Sequence, residues 1–206
     1  MEGNRNYIYI VFSNTPCKMG SFIRAVTHGA YNHVSVALDG DLSEMYSFAR
    51  LKRDTPFCGG FVHEGAERYR LGDHIADISV CGINVSEEGA EKVRERIKSM
   101  KEHPDTYIYN MFSAMLVPLR KKANVHKSFT CVEFANSVLK TAGVRIFDEC
   151  FSATELYTQL NNYEMYRGKI PDNTSIVDNT YYDRVSIPQQ IVCSVKQFGR
   201  LFHRLV

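Results

Sequence analysis

Residues 31–48 read YNHVSVALDGDLSEMYSF. Apolar side chains alternate with small or polar ones over residues 33–38, and a second apolar run over residues 42–48 follows Asp39–Gly40. Alternation indicates strands, and Asp-Gly between two such runs is a strong short-range signal of a β-hairpin. The stretch therefore predicts two antiparallel strands, with His33 opening the first.

The rest of the chain supplies further elements, grouped in runs rather than strictly alternating, which is typical of α+β proteins. Strands are predicted at 7–13, 57–64, 75–85 and 191–195, and helices at 18–28, 86–102, 107–116, 130–143 and 152–160. We expect one α+β domain over residues 1–206, in which residues 162–206 form a C-terminal extension whose role the sequence does not indicate.

Composition describes an ordinary globular chain without a strong charge bias. Its 206 residues include 25 Lys and Arg against 23 Asp and Glu, a net charge of +2 that argues against nucleic-acid binding as the main function. The apolar run near the start is too short for a signal peptide, and no later stretch approaches 18 apolar residues, the length of a membrane span. We expect a cytoplasmic location with reduced thiols.

Six cysteines are scattered along the chain without a CxxC pair, which argues against a disulfide scaffold or a zinc module. Cys17, His28 and His33 fit no zinc spacing, so no metal or other cofactor is expected. Four of the thiols are most simply packing residues: Cys58, Cys81, Cys150 and Cys193.

Cys131 differs because it lies in a T-x-x-E capping box, Thr130 to Glu133, that opens a predicted helix. Unpaired N–H groups and the positive end of the helix dipole favour a thiolate there, and the same amides suit an oxyanion formed during acyl transfer. Alternatively, Cys131 is a small buried hydrophobe.

A nucleophilic thiol needs a base, usually a histidine held by an orienting group. His33 opens a strand, and a two-residue turn at Asp39–Gly40 would bring Glu44 within reach of its imidazole. The competing interpretation makes His33 a satisfied edge histidine and Glu44 a solvated strand residue. His63 and Glu64, at the end of another strand, are expected at the surface.

Two segments, residues 31–48 and SFTCVEFANSVLKTAG at 128–143, together resemble a known enzyme family. It is the circularly permuted branch of the NlpC-like papain-fold cysteine hydrolases, which includes YiiX- and YaeF-type amidases and lecithin–retinol acyltransferase-like enzymes. In that branch the His-bearing hairpin precedes the Cys-bearing helix. The resemblance covers roughly residues 5–143; Val132 and Asn110 depart from its pattern, where a small polar residue and Asp are common.

The resemblance implies a permuted papain-like fold, an antiparallel sheet or partial barrel packed against helices that include the Cys-bearing one. It implies a cysteine peptidase or amidase with Cys131 as nucleophile, His33 as base and Glu44 as the orienting carboxylate. Tyr31 and Tyr109 are expected to contact a small peptide, aminoacyl or acyl substrate. Two alternatives stay open: an acyltransferase or lipid or thioester hydrolase using the same triad, and a binding module without activity.

Overall fold

The computed structural model describes residues 6–15, 29–145, 149–171 and 180–205. Eight strands form one sheet in the order β10-β7-β1-β2-β3-β4-β8-β9, antiparallel throughout except for the parallel pair β8–β9. These strands are β1 Asn6–Ser13, β2 His33–Ala37, β3 Met45–Arg50, β4 Gly59–Glu64, β7 Asp77–Val85, β8 Ile108–Tyr109, β9 Ser128–Phe129 and β10 Glu164–Lys169, while β5 Arg70–Leu71 and β6 His74–Ile75 form a separate pair.

Five α-helices accompany the strands in the described part of the chain. They are α1 Glu87–Glu102, α2 Met111–Leu116, α3 Cys131–Thr141, α4 Ala153–Leu160 and α5 Ile187–Phe202. The predicted α+β class is therefore confirmed as a large mixed sheet packed against helices. The helix predicted at 18–28 lies outside the described residues.

Side chains of β1 point alternately to the two faces of the sheet, and each face is covered by an apolar layer. Ile8, Ile10 and Phe12 point to the side covered by α1 and α3, whereas Val11 points to the opposite side. Successive side chains of a strand face opposite ways, so a central strand buried on both faces needs apolar residues at nearly every position. This arrangement holds α3 directly over β2, the strand that begins with His33.

Local signals fix the ends of the helices that pack on the sheet. The Ser86 side chain accepts a hydrogen bond from the Gly89 amide at 3.0 Å and begins α1, and Thr130 caps α3 in the same way. Capping side chains satisfy amides that have no partner within the helix. The predicted helices at 86–102, 130–143 and 152–160 are confirmed, whereas the helix expected from 107 begins only at Met111, because Ile108 and Tyr109 pair as strand β8.

The C-terminal extension belongs to the same packed structure. Strand β10 pairs with β7 at the sheet edge, and α5 packs Phe198 against Phe57 at 6.0 Å between ring centroids. The strand predicted at 191–195 is wrong, because these residues lie inside α5, which has a proline in its first turn as helix starts favour. Among the described residues no helix is both long enough and apolar enough to span a membrane.

Cys58 and Cys193 are joined by a disulfide, so the prediction that both are free packing thiols is wrong. The bond connects the loop before β4 to α5 across 135 residues of sequence. The sequence does not predict this disulfide, because neither cysteine belongs to a CxxC motif and their spacing does not indicate which cysteines pair. Cys81, Cys131 and Cys150 are buried and lie outside this disulfide.

Candidate active site

Cys131 is the first residue of α3, and the predicted capping box is present. Thr130 Oγ1 accepts the Glu133 amide at 3.2 Å, and Glu133 Oε2 accepts the Thr130 amide at 2.7 Å. These two bonds use the Glu133 carboxylate and the amides of Thr130 and Glu133. The amides of Cys131 and Val132 take no part in the capping box. Only 9% of Cys131 is exposed, and that part faces a cavity of about 510 Å³.

His33 lies between Cys131 and a buried carboxylate. Its Nε2 atom is 2.8 Å from Oε1 of Glu64, and Cys131 lies near enough to the ring to contribute to the raised pKa of His33. Because Glu64 occupies Nε2, the other ring nitrogen, Nδ1, is the one available to the sulfur. The structure thus brings together two of the three residues expected to form the site.

The charge of this histidine is set by Glu64. Burial by itself would lower the pKa of His33, but the negative charge of Glu64 and hydrogen bonds to Cys131 and Glu64 outweigh it and raise the pKa to about 10. For Glu64, burial would raise the carboxyl pKa, and the positive charge of His33 overcomes this and holds it well below its usual range. The pair is therefore an imidazolium and a carboxylate at neutral pH.

Glu64 ends β4 and is 2% exposed, so its charge must be satisfied by neighbouring donors. Ser35 Oγ donates to Oε2 at 2.6 Å and Ser47 Oγ donates to Oε1 at 2.5 Å. The Tyr69 hydroxyl makes a further bond to Oε2. With His33 these make four donors from three parts of the chain, because His33 and Ser35 share β2, and together they fix the position of the carboxylate.

Glu44 is not the partner of His33, so this prediction is wrong. The β2–β3 connection is longer than two residues: the Leu38 amide donates to the Glu44 carbonyl at 3.1 Å, and the strands begin to pair at Ala37 and Met45. Glu44 is exposed, with Oε1 at 3.4 Å from the Tyr46 hydroxyl and 3.9 Å from Lys101 Nζ. The expected two-residue turn would have moved it toward Ser35.

The surface position expected for Glu64 is also wrong, and the reason is strand pairing. Glu64 lies opposite Met45 in the β3–β4 ladder, which directs its side chain toward Ser35 and Ser47. Strand β4 itself was predictable from its residues. Its neighbour in the sheet and its register were not, because both depend on contacts remote in sequence.

The two tyrosines expected to bind substrate are placed differently. Tyr109 in β8 lines the cavity near Cys131; burial raises the pKa of its hydroxyl, and the nearby charge of Cys131 adds to this. Tyr31 is 8% exposed, and its ring packs 4.9 Å from that of Tyr157 in the main core. Tyr31 is not among the described residues that line the cavity, so its predicted contact with substrate has no support here.

Gly59 explains how Tyr109 comes so close to β4. A Cβ atom added at Gly59 would lie 2.7 Å from Tyr109 Cβ and 2.9 Å from the Ala49 carbonyl oxygen. Only a residue without a side chain fits there, as is common where another backbone approaches a strand closely.

The cavity lining contains three kinds of side chain. It includes the polar residues His33, Glu64 and Cys131, a set of apolar side chains, and several arginines. The main apolar residues are Phe48, Phe57, Met111, Met115, Val117 and Phe151. Ligand sites commonly combine an apolar surface with a few convergent polar groups.

The remaining titratable clusters do not suggest a metal centre. Within the described ranges no group of three His, Cys, Asp or Glu side chains is arranged to hold a metal ion. Cys17 and His28 lie outside those ranges. No protein family, curated protein or solved structure matches the chain.

Proposed function

We propose that this protein is a cysteine hydrolase that cleaves an amide or peptide bond through a thioester with Cys131. The observation that supports it best is the position of His33, bonded to buried Glu64 on one side and reaching Cys131 on the other, beside a cavity. A nucleophile, a base and an orienting carboxylate in this order form the arrangement that covalent catalysis requires.

The reactive form of a cysteine is the thiolate, and protonated His33 lies beside the sulfur as its counter-ion in this scheme. The thiolate attacks the substrate carbonyl carbon and forms a C–S bond, and the Cys131 amide at the start of α3 stabilises the oxyanion. His33 Nδ1 then donates its proton to the leaving nitrogen, and the C–N bond breaks. Water, deprotonated by His33, attacks the thioester, the C–S bond breaks, and acid and thiolate are released.

Glu64 acts in this scheme as a positioning residue. It holds the imidazole through Nε2 and keeps it charged, and it exchanges no proton with substrate. Burial alone would raise the pKa of Glu64, but the charges of His33 and Arg68 and the hydrogen bond from Ser35 lower it. The Ser47 and Tyr69 hydroxyls hold the carboxylate in place behind the histidine.

The proposal includes a permuted papain-like fold of the NlpC-like branch. Its support is the chain order, in which a strand beginning with His33 precedes a helix beginning with Cys131, and the packing of that helix on that strand. Glu64 takes the position that the sequence resemblance assigned to Glu44.

Alkylation by iodoacetamide at pH 6, followed by peptide mapping, tests the nucleophile without knowledge of the substrate. Cys131 is expected to react well before Cys81, because burial and the charge of Glu164 raise the pKa of the Cys81 thiol to about 12. His33→Ala should remove the preference. Equal rates at Cys81, Cys131 and Cys150 would favour a binding module without activity.

A second candidate is an acyltransferase or a lipid or thioester hydrolase with the same three residues. The apolar side chains that line the cavity, including Phe57, Met111 and Met115, favour this candidate because an acyl chain would pack against them. Turnover of p-nitrophenyl acyl esters against aminoacyl-coumarin amides separates the two candidates. Faster release from the esters, lost in Cys131→Ala, would select the acyl substrate.

A further inference from the structure

The cavity is rich in arginine side chains. Its described lining includes Arg50, Arg53, Arg68 and Arg70, together with one carboxylate, Glu64, which is bonded to His33. A guanidinium group that lines a concave surface and has no carboxylate partner attracts anionic ligands. Arg50 and Arg53 are the two that the following contacts concern.

Arg50, the last residue of β3, is held in a fixed orientation. Its Nη1 donates to the Arg53 carbonyl at 2.9 Å, and its Nη2 donates to the Tyr181 hydroxyl at 3.3 Å. In the described part of the chain neither Arg50 nor Arg53 forms an ion pair with a carboxylate. Hydrogen bonds to neutral oxygens leave the charge of Arg50 uncompensated.

The neighbouring side chains form a stacked support. The Arg68 guanidinium lies 4.3 Å from the centre of the Tyr181 ring, and its Nη1 donates to the Arg50 carbonyl at 2.8 Å. Arg53 is exposed and lies 5.5 Å from the centre of the Tyr182 ring. A stacked guanidinium group keeps its N–H edges available for other acceptors, so the contact with Tyr182 leaves the charge of Arg53 available.

Arg50 lines the same cavity as the proposed nucleophile, with Tyr109. Burial and the charge of Cys131 raise the pKa of Tyr109, while the charge of Arg50 opposes them, so Tyr109 lies within electrostatic range of both residues. A substrate in this cavity with its carbonyl at Cys131 can therefore place another of its groups near Arg50.

We propose that Arg50 and Arg53 form an anion subsite that binds a carboxylate or phosphate group of the substrate. The inference rests on the proposed function for the place of the scissile bond, and it names the substrate class: an acyl or aminoacyl compound with an anionic group. Guanidinium groups suit both anions because two parallel N–H donors match two oxygens. The apolar side chains that line the cavity then contact the uncharged part of the same molecule.

The rate of Cys131 alkylation by iodoacetate, divided by the rate with the near-isosteric neutral iodoacetamide, tests the subsite. Arg50→Gln and Arg53→Gln are each expected to lower this ratio about fivefold, because a nearby cation attracts the anionic reagent. Arg94→Gln is the matched control, since Arg94 is exposed on α1 and pairs with Glu91 at 3.3 Å. A ratio that falls equally in all three variants, or in none, overturns the subsite.

A binding measurement tests the anion subsite even if Cys131 is unreactive and the proposed hydrolase activity is absent. Calorimetry on Cys131→Ser at constant ionic strength compares succinate, inorganic phosphate and neutral succinamide. The subsite predicts binding of an anion but not of succinamide, weakened about tenfold by Arg50→Gln and retained in part by Arg50→Lys. Tighter binding of succinate indicates a carboxylate substrate, tighter binding of phosphate indicates a phosphorylated one, and no difference among the three probes overturns the proposal.

Discussion

The Nε2 atom of His33 lies 2.8 Å from Oε1 of Glu64, a residue 31 positions further along the chain and one strand beyond its neighbour β3. Both side chains are largely buried, at 13% and 2% exposure. The interaction holds the imidazole with one nitrogen occupied and the other available to Cys131. The four predictions below concern this pair, the thiol beside it and the contacts that hold the cavity.

Cys131→Ala should abolish turnover and leave the fold intact. The change removes one sulfur atom at the edge of a cavity, so its cost to the free energy of unfolding should be small, about 1 kcal/mol. Thermal unfolding measures that cost, and hydrolysis of amide and ester probes measures activity. Cys150→Ala is the control at another buried cysteine outside the disulfide. Residual hydrolysis in Cys131→Ala would exclude Cys131 as the nucleophile.

Glu64→Gln should lower the pKa of His33 from about 10, because the negative charge that raises it is removed. Alkylation of Cys131 at pH 6 should slow by ~10-fold or more, the usual scale for loss of a positioned acid–base group. Glu44→Gln removes the same charge at an exposed site and should leave both quantities unchanged. An NMR titration of the His33 ring gives the pKa directly, and equal behaviour of the two variants would contradict the assignment of Glu64.

The His33–Glu64 pair should make stability depend on pH with a defined sign. The raised pKa of His33 contributes stability fully below 6.5 and loses it as pH rises through about 10, while the lowered pKa of Glu64 contributes above 4.5 and loses it in acid. The stability difference between wild type and Glu64→Gln should therefore be largest between about pH 4.5 and 6.5 and shrink toward pH 10. Urea unfolding of both proteins at matched pH measures it, and a difference that grows with pH would have the wrong sign.

Gly59→Ala should displace Tyr109 and destabilise the fold by about 1–3 kcal/mol, the usual cost of overpacking. The added Cβ would meet Tyr109 and the Ala49 backbone within 3 Å. Gly199→Ala in α5 is the control, because nothing lies within 4 Å of its added Cβ, and a helical Gly→Ala change should stabilise by about 0.5–1 kcal/mol. Denaturant unfolding compares the two, and similar effects would argue against the close approach.

The parts of the site that the sequence determined are those made by neighbouring residues. The Cys131 helix start follows from Thr130 and Glu133, which cap one another across three residues, and His33 opens a strand recognisable from its own alternation. Such signals act over a single turn or strand, so they do not depend on how the rest of the chain folds.

Tertiary structure alone decided which carboxylate faces His33, which cysteines pair and what the C-terminal segment becomes. Glu64 reaches the histidine only because β4 pairs with β3 in one register, and Cys58 meets Cys193 only because α5 packs beside β4. The apolar run at 191–195 suits a strand by composition, yet it lies inside helix α5, which packs through Phe198 on Phe57 and Phe112. Local propensity yields to packing where the contacts that stabilise an element are distant in sequence.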